Sequence, residues 1–192
     1  MPTTKKTDNH SLDGKLELRR YFLRKYHAPA SMNVLDCCQA NGRIWRALRR
    51  EFPTENYWGV DLKPKKGRIK VDSVRILDQP GWEHNVVDVD VYGSPWKHWF
   101  ALLRNCKHHV TVFLTIGMVK VGGGNYDRAL LPVLGIHLQR LKIPNSLGAR
   151  LTDMAIGHAL GFCISQGFKP VEALEAVGTG SARYIGIRLE KL

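Results

Sequence analysis

No run of about 18 apolar residues occurs in this chain, so no membrane-spanning helix, and no membrane partner, is expected. Acidic residues are scarce, 17 Asp and Glu against 29 Lys and Arg, leaving a net charge of +12. Cysteine is scarce too, and Cys37, Cys38, Cys106 and Cys163 follow no zinc-like spacing. They read as reduced, packed thiols, with Cys37 and Cys38 on opposite faces of a strand. His108–His109 lacks a third ligand at metal spacing, so no metal site is expected and the pair reads as surface. Met1–Asn9 is polar and has no apolar segment of a secretory signal, which points to the cytoplasm. Internal repeats and low-complexity segments are absent.

What is present suffices for one folded domain. The chain has 192 residues, 44% of them hydrophobic, enough to bury a core. The charge is uneven: residues 1–70 carry 16 basic and 7 acidic residues, an excess of +9 in the first third. That asymmetry fits a polyanionic partner such as RNA or DNA.

The stretch Asn33–Gly42, N-V-L-D-C-C-Q-A-N-G, organises the rest. Val34 and Leu35 begin a buried strand, about Met32–Cys38, and Asp36 sits at its carboxyl end. Gly42 permits a tight turn into a helix over Arg43–Phe52. Strand, turn and helix make the first crossover of a doubly wound sheet, whose ligands bind outside the carboxyl ends of its strands. Upstream, Met1–His10 reads as a tail and Asp13–Tyr26 as an amphipathic helix. Leu18, Tyr21, Phe22 and Tyr26 lie on one face of that helix, with Lys15, Arg19 and Arg20 around the rest. Residues 1–30 thus form a basic tail and helix, and 31–192 a single domain.

Downstream, strands are expected at Tyr57–Leu62, Arg68–Val71, Asn85–Val91 and His109–Ile116. Lys63–Lys66 is a basic loop, and a short helix or turn runs to about Gln79. Pro95 suits a helix's first turn, giving a helix over Pro95–Asn105. Gly117–Asn145, with Gly122, Gly123 and Gly124, reads as an insertion. Ser146 caps a helix that Gly167 stops. Val171–Val177 and Ala182–Leu189 flank G-T-G-S as a terminal antiparallel hairpin. The expected architecture is α/β, a doubly wound, mostly parallel seven-stranded sheet ending in that hairpin.

The first loop lacks G-x-G-x-x-G, so its backbone is not cleared for a dinucleotide pyrophosphate, and no G-x-x-x-x-G-K-[ST] cradles a phosphate. A cofactor with an adenosine part and no phosphate remains. On these residues the chain resembles the class I S-adenosylmethionine-dependent methyltransferases, over about Ser31–Leu192. V-L-D-C-C-Q-A-N-G is similar to that family's first motif, with the aspartate and one glycine kept. The resemblance implies that S-adenosylmethionine is the cofactor. Asp36, Cys37 and Gly42 would surround its methionine part, with Cys38 and Gln39 also among the cofactor-binding residues. Asp61, followed by Leu62, would bind both ribose hydroxyls, as a bidentate carboxylate can. Asp72 and Ser73 would lie beside the adenine amino group.

After the fourth strand stands Asp90-Val91-Tyr92-Gly93-Ser94-Pro95, which resembles the D-x-[YF]-G-S-P of tRNA guanine-N2 methyltransferases and departs from the commoner D-P-P-Y. The resemblance implies catalytic roles for Asp90, Tyr92, Ser94 and Pro95. An exocyclic amine is a poor nucleophile because its lone pair is delocalised into the ring. Asp90 and nearby carbonyls would accept its hydrogens, Tyr92 would stack on the base, and the base of a duplex would be flipped out. Trp96 is a candidate cleft residue, and Trp99 a core residue. Arg43, Arg46 and Arg50, at i, i+3 and i+7, share a face as a candidate phosphate-contacting stripe or a solvated face. No cysteine follows the fourth strand in a Pro-Cys setting, which argues against covalent cytosine-C5 chemistry. The expected activity is methylation of an exocyclic amine of a nucleic-acid base. A small-molecule or protein methyltransferase, and a non-catalytic nucleic-acid binder on the same fold, are the alternatives.

Overall fold

A computed structural model describes residues 11–63, 69–91, 93–117, 145–176 and 182–192. The expected tail (1–10), most of the basic loop (64–66), Tyr92, the insertion between Gly117 and Asn145, and the G-T-G-S turn lie outside those residues.

Helix α1 (Leu12–Tyr26) precedes β1 (Asn33–Asp36), α2 (Arg43–Glu51), β2 (Asn56–Asp61), β3 (Ile69–Lys70), α3 (Ser73–Leu77), β4 (Val86–Val89), α4 (Trp96–Asn105), β5 (Val110–Ile116), α5 (Asn145–Ser165), β6 (Phe168–Ala176) and β7 (Arg183–Lys191). Among the described residues the sheet has seven strands, in the order β3-β2-β1-β4-β5-β7-β6. The first five run parallel, and β7 pairs antiparallel with both β5 and β6. The expected architecture is thus the observed one. The third strand is reduced to two residues, the first hairpin strand begins three residues earlier than expected, and the second ends two residues later.

Helices on both faces explain why the central strands are apolar runs rather than alternating ones. Every residue of β4 and β5 is buried. Val34, Val86 and Phe113 face α1 and α2, and Leu35, Val87 and Val112 face α4 and α5. On α4, Trp96, Trp99, Phe100 and Leu103 recur at i, i+3, i+4 and i+7, and all four sink into the second layer. Gly167, at φ 73, follows the end of α5 and stops it as expected.

The first helix departs from expectation. It packs on α2, β6 and β7, with two of its basic residues buried rather than lying around its outer side. Lys15 is 4% exposed and Arg19 1%, while Tyr21, assigned to the apolar face, is 41% exposed. Two features seat α1 so deeply. Gly186 on β7 clears the space for Phe22: a Cβ there would stand 2.6 Å from Phe22 Cε2. The two basic side chains meet carboxylates below them.

Candidate functional site

Strand order reverses between β1 and β4, the position where doubly wound sheets hold ligands. In register there, Asp36 on β1 lies opposite Asp88 on β4. Asp36 is 4% exposed and Asp88 1%, and unpaired carboxylates so buried would be prohibitively costly. The fold supplies partners from three elements. The Arg19 guanidinium donates to both oxygens of Asp88, at 2.7 and 2.6 Å, and Trp45 Nε1 donates to the same group at 2.8 Å. Tyr57 donates its hydroxyl to Asp36 at 2.7 Å and accepts from Gln39 Nε2 at 3.0 Å. Burial, with Asp88 alongside, pushes the Asp36 carboxyl well above the usual range and favours its protonated form. Burial works against the Arg19 charge, but Asp88 outweighs it and the guanidinium stays charged.

Asp90 lies two residues beyond Asp88 on the same strand course. Lys15 Nζ donates to its oxygens at 2.7 and 2.9 Å, and Thr115 Oγ1 donates to Oδ1 at 2.6 Å. Burial alone would raise this carboxyl. The nearby charges of Arg19 and Lys15, with the Lys15 and Thr115 hydrogen bonds, hold it below the usual range instead. Asp90 is therefore an ionised acceptor whose side chain remains 18% exposed. The pairing follows from two periodicities. Residues two apart on a strand are about 6.6 Å apart on one face, and residues four apart on a helix rise about 6 Å. Lys15 and Arg19 therefore meet Asp90 and Asp88 in register.

The loop after β1 is held from β2. Gln39 N donates to Val60 O at 3.0 Å, and Ala40 N donates to Asp61 Oδ2 at 3.0 Å. Ala40 takes φ 42, a left-handed backbone unusual for alanine. Lys63 N donates to Asp61 Oδ1 at 2.8 Å. A carboxylate has about four acceptor positions, so among the described residues Asp61 keeps half of them. Leu62 beside it is 59% exposed. Asp72 caps α3 by accepting from Val74 N at 3.0 Å. Ser73 is buried, donates to Cys37 O at 3.0 Å and meets His98 Nε2 at 2.9 Å. Burial pushes the thiols of Cys37 and Cys38 up, Cys38 to about 12, so both are unreactive thiols. All four cysteines are free, as expected.

The structure therefore brings together Asp36, Cys37, Cys38, Gln39, Gly42, Asp61, Leu62, Asp72 and Ser73 at the carboxyl ends of β1, β2 and β3. Asp90, Ser94 and Pro95 stand at the end of β4, where Pro95 O accepts from Trp99 N at 3.0 Å as α4 begins. Tyr92 is outside the described residues. Trp96 is a correction: as the first residue of the apolar stripe of α4 it is 2% exposed and packed in the core, not lining a cleft. Trp99 is core as expected, donating Nε1 to Ala159 O at 2.8 Å. Arg43 and Arg46 are exposed on α2. Arg46 lines an open pocket of about 290 Å³ with Gln39, Trp45, Arg49, Arg50 and Tyr57. Sequence reasoning named Lys15 and Arg19 on a basic helix but not their carboxylate partners, and it missed Asp88, Trp45, Tyr57, Thr115 and Arg49. One signal was available: Asp88 and Asp90 share a face of a strand whose other residues are valine, and charges so placed need partners.

No protein-family model matches the sequence, and no curated protein sequence matches it. Solved structures match in fold. Trm1 from Pyrococcus horikoshii, in complex with S-adenosyl-L-methionine, superposes with a TM-score of 0.64 at 17% identity, covering 94% of this chain and 54% of that one. This chain thus spans about half of that protein's length. A hemolysin candidate from Lactococcus lactis gives 0.60 at 13% identity, covering 96% of this chain and 89% of that one. TYW2 from M. jannaschii, in complex with AdoMet, gives 0.56 at 11% identity, covering 93% and 77%. At such identities the likeness is one of architecture, and the hemolysin candidate illustrates that a fold does not fix a function. With its β3-β2-β1-β4-β5-β7-β6 sheet and antiparallel terminal hairpin, the chain has the class I S-adenosylmethionine-dependent methyltransferase fold.

Proposed function

We propose that this chain binds S-adenosylmethionine and methylates an exocyclic amine of a nucleic-acid base. The observation that carries the reading is Asp90, an ionised, partly exposed carboxylate at the carboxyl end of β4 beside the switch point. The residues present fit the cofactor. Asp61 retains acceptor positions for two ribose hydroxyls, Leu62 offers an exposed apolar surface for the adenine, and Asp72 retains an acceptor for its amino group. When bound, the cofactor supplies an electrophilic methyl group on a sulfonium.

The rest is the work of the chain. Oδ1 of Asp90 is occupied by Lys15 and Thr115, whereas among the described residues Oδ2 accepts from Lys15 alone and keeps a position for an N–H of the target amine. Accepting that hydrogen draws the nitrogen lone pair out of conjugation and aims it. As nitrogen takes the methyl group it becomes a strongly acidic ammonium, so even a carboxylate of low basicity takes the proton. Orientation of the two reactants contributes much of the acceleration. Surface arginines of α2 and the basic first third favour a polyanionic substrate.

A non-catalytic nucleic-acid binder on the same fold is a second reading, favoured by the engagement of both Asp90 oxygens by Lys15. One experiment separates the two. Labelled methyl transfer from S-adenosylmethionine is followed into total tRNA, rRNA, unmethylated DNA and a small-molecule extract. Label in one nucleic acid, abolished by Asp90→Ala and Asp90→Asn with cofactor binding intact by calorimetry, is the expected result. Full activity in both variants overturns the role of Asp90, and label only in the extract overturns the nucleic-acid substrate.

A further inference from the structure

The pocket lined by α2, Tyr57 and Gln39 includes Gln39 and Gly42, which the cofactor reading also uses, but its arginines have no specific ligand in the chemistry above. Exposed Arg46, Arg49 and Arg50 line it together with Gln39, Gly42, Trp45 and Tyr57. Arg46 stands three residues from Arg49 and four from Arg50, so three like charges are adjacent on one helix, an arrangement that weakens a helix. None of them, nor Arg43, meets a carboxylate among the described residues. Arg46 has only a backbone contact to Asn41 O at 3.2 Å. By contrast Arg19, Arg20, Arg104 and Arg183 each hold a carboxylate. The one acid of α2, Glu51, is already taken by Arg20 at 2.6 Å.

The interior explains what else the ligand carries. Trp45 Nε1 and Tyr57 OH both point away into the acid network, to Asp88 and Asp36. Trp45 is buried behind the pocket, so the aromatic surface left to it is that of half-buried Tyr57, whose ring centroid lies 4.7 Å from the Arg49 guanidinium. Gln39 fits against β2 only because residue 59 is glycine: a Cβ there would run into the Gln39 amide. The site therefore combines guanidinium groups suited to phosphate with flat apolar walls suited to a sugar or base.

Resting on the nucleic-acid reading above, we propose that this pocket holds one phosphate-bearing nucleotide of the substrate strand, away from the target base. Arg46, Arg49 and Arg50 neutralise its phosphate, and the half-buried Tyr57 ring packs against its organic part. The pocket shares Trp45 and Tyr57 with the network around Asp36 and Asp88, so the strand is anchored one side-chain layer from the switch point.

The test measures binding of fluorescein-labelled single-stranded RNA and DNA 12-mers by anisotropy across a salt series. The proteins are wild type, the triple variant Arg46→Gln/Arg49→Gln/Arg50→Gln, and the triple lysine counterpart. Cofactor calorimetry and thermal unfolding run in parallel to establish that the variants fold. The glutamine triple is expected to bind at least about tenfold more weakly, with the slope of log K against log salt shallower by about 2 for three lost charges. The lysine triple is expected to keep the slope and lose several-fold in affinity, because an ammonium neither forks nor stacks as a guanidinium does. Equal loss on RNA and DNA assigns the site to the phosphodiester, and a larger loss on RNA adds a contact to the ribose. If wild type binds and methylates a nucleic acid while the glutamine triple keeps its affinity and slope, the pocket proposal is overturned and the reading of function stands. If wild type binds neither oligonucleotide while binding cofactor, both fall.

Discussion

The ammonium of Lys15 stands 2.7 and 2.9 Å from the two carboxylate oxygens of Asp90, across 75 residues of sequence. A helix upstream of the nucleotide-binding fold thus sets the ionisation of the carboxylate proposed to receive the target amine. Lys15 is held in turn by its surroundings, with its Nζ 4.8 Å from the centre of the Tyr184 ring.

This relationship predicts a pH signature. Replacing Lys15 with methionine removes a charge and a hydrogen bond that hold the Asp90 carboxyl below its usual range. Its pKa then rises, and the acid limb of the methyl-transfer rate moves to higher pH. Rate profiles of wild type and Lys15→Met against pH check this. A purely structural role for Lys15 would lower the rate equally at every pH.

The Arg19–Asp88 pair makes a stability prediction. Both side chains are 1% exposed, and the guanidinium forks onto both carboxylate oxygens. Arg19→Met leaves a buried carboxylate with only Trp45 as donor and costs about 3–5 kcal/mol. The double variant Arg19→Met/Asp88→Asn removes both charges and recovers much of that loss. Urea denaturation of the two single variants and the double variant gives the coupling directly.

Gly186 predicts a packing effect. A methyl group at this position meets Phe22 Cε2 at 2.6 Å and Leu18 Cδ1 at 3.3 Å. Gly186→Ala therefore lifts α1 off β7, destabilising by about 1–3 kcal/mol. Because α1 carries Lys15, the same substitution weakens the Lys15–Asp90 contact and moves the pH–rate profile in the direction of Lys15→Met. Thermal unfolding and the rate profile read the two effects.

His98 predicts acid sensitivity. Burial lowers its pKa from 6.5 to about 4, and Ser73 Oγ is its partner at 2.9 Å. The unfolded chain takes up a proton that the folded interior refuses. The contribution to stability is fully present above about pH 6.5 and is lost as pH falls toward 4, on the order of 3 kcal/mol over the window at about 1.4 kcal/mol per pKa unit. His27, also lowered to about 4 by burial and by Arg188, adds to the same trend. Denaturation midpoints at pH 7 and pH 5 should differ less in His98→Gln than in wild type.

The sheet was legible in the chain because its signals are local. Valine-rich runs with acids at their carboxyl ends, a glycine turn after Asp36 and a proline before α4 are read within a few residues, and each became the expected element. Asp61, Asp72 and Asp90 were found the same way, since a strand's end is visible from the strand. What a charged side chain meets across the fold is a different matter. Lys15 and Arg19 look like the solvated side of an amphipathic helix until Gly186 lets Phe22 close on the sheet and brings them over Asp90 and Asp88. Trp96 reads as a cleft residue until the α4 stripe is laid against the sheet, and Arg49 joins the arginine pocket only because the ring of Tyr57 from β2 lies beneath it. Backbone pattern and turn chemistry are determined by neighbours in sequence. Burial and the pairing of charges are decided by elements that meet only in the folded molecule, and burial strengthens those pairings by removing water from between them.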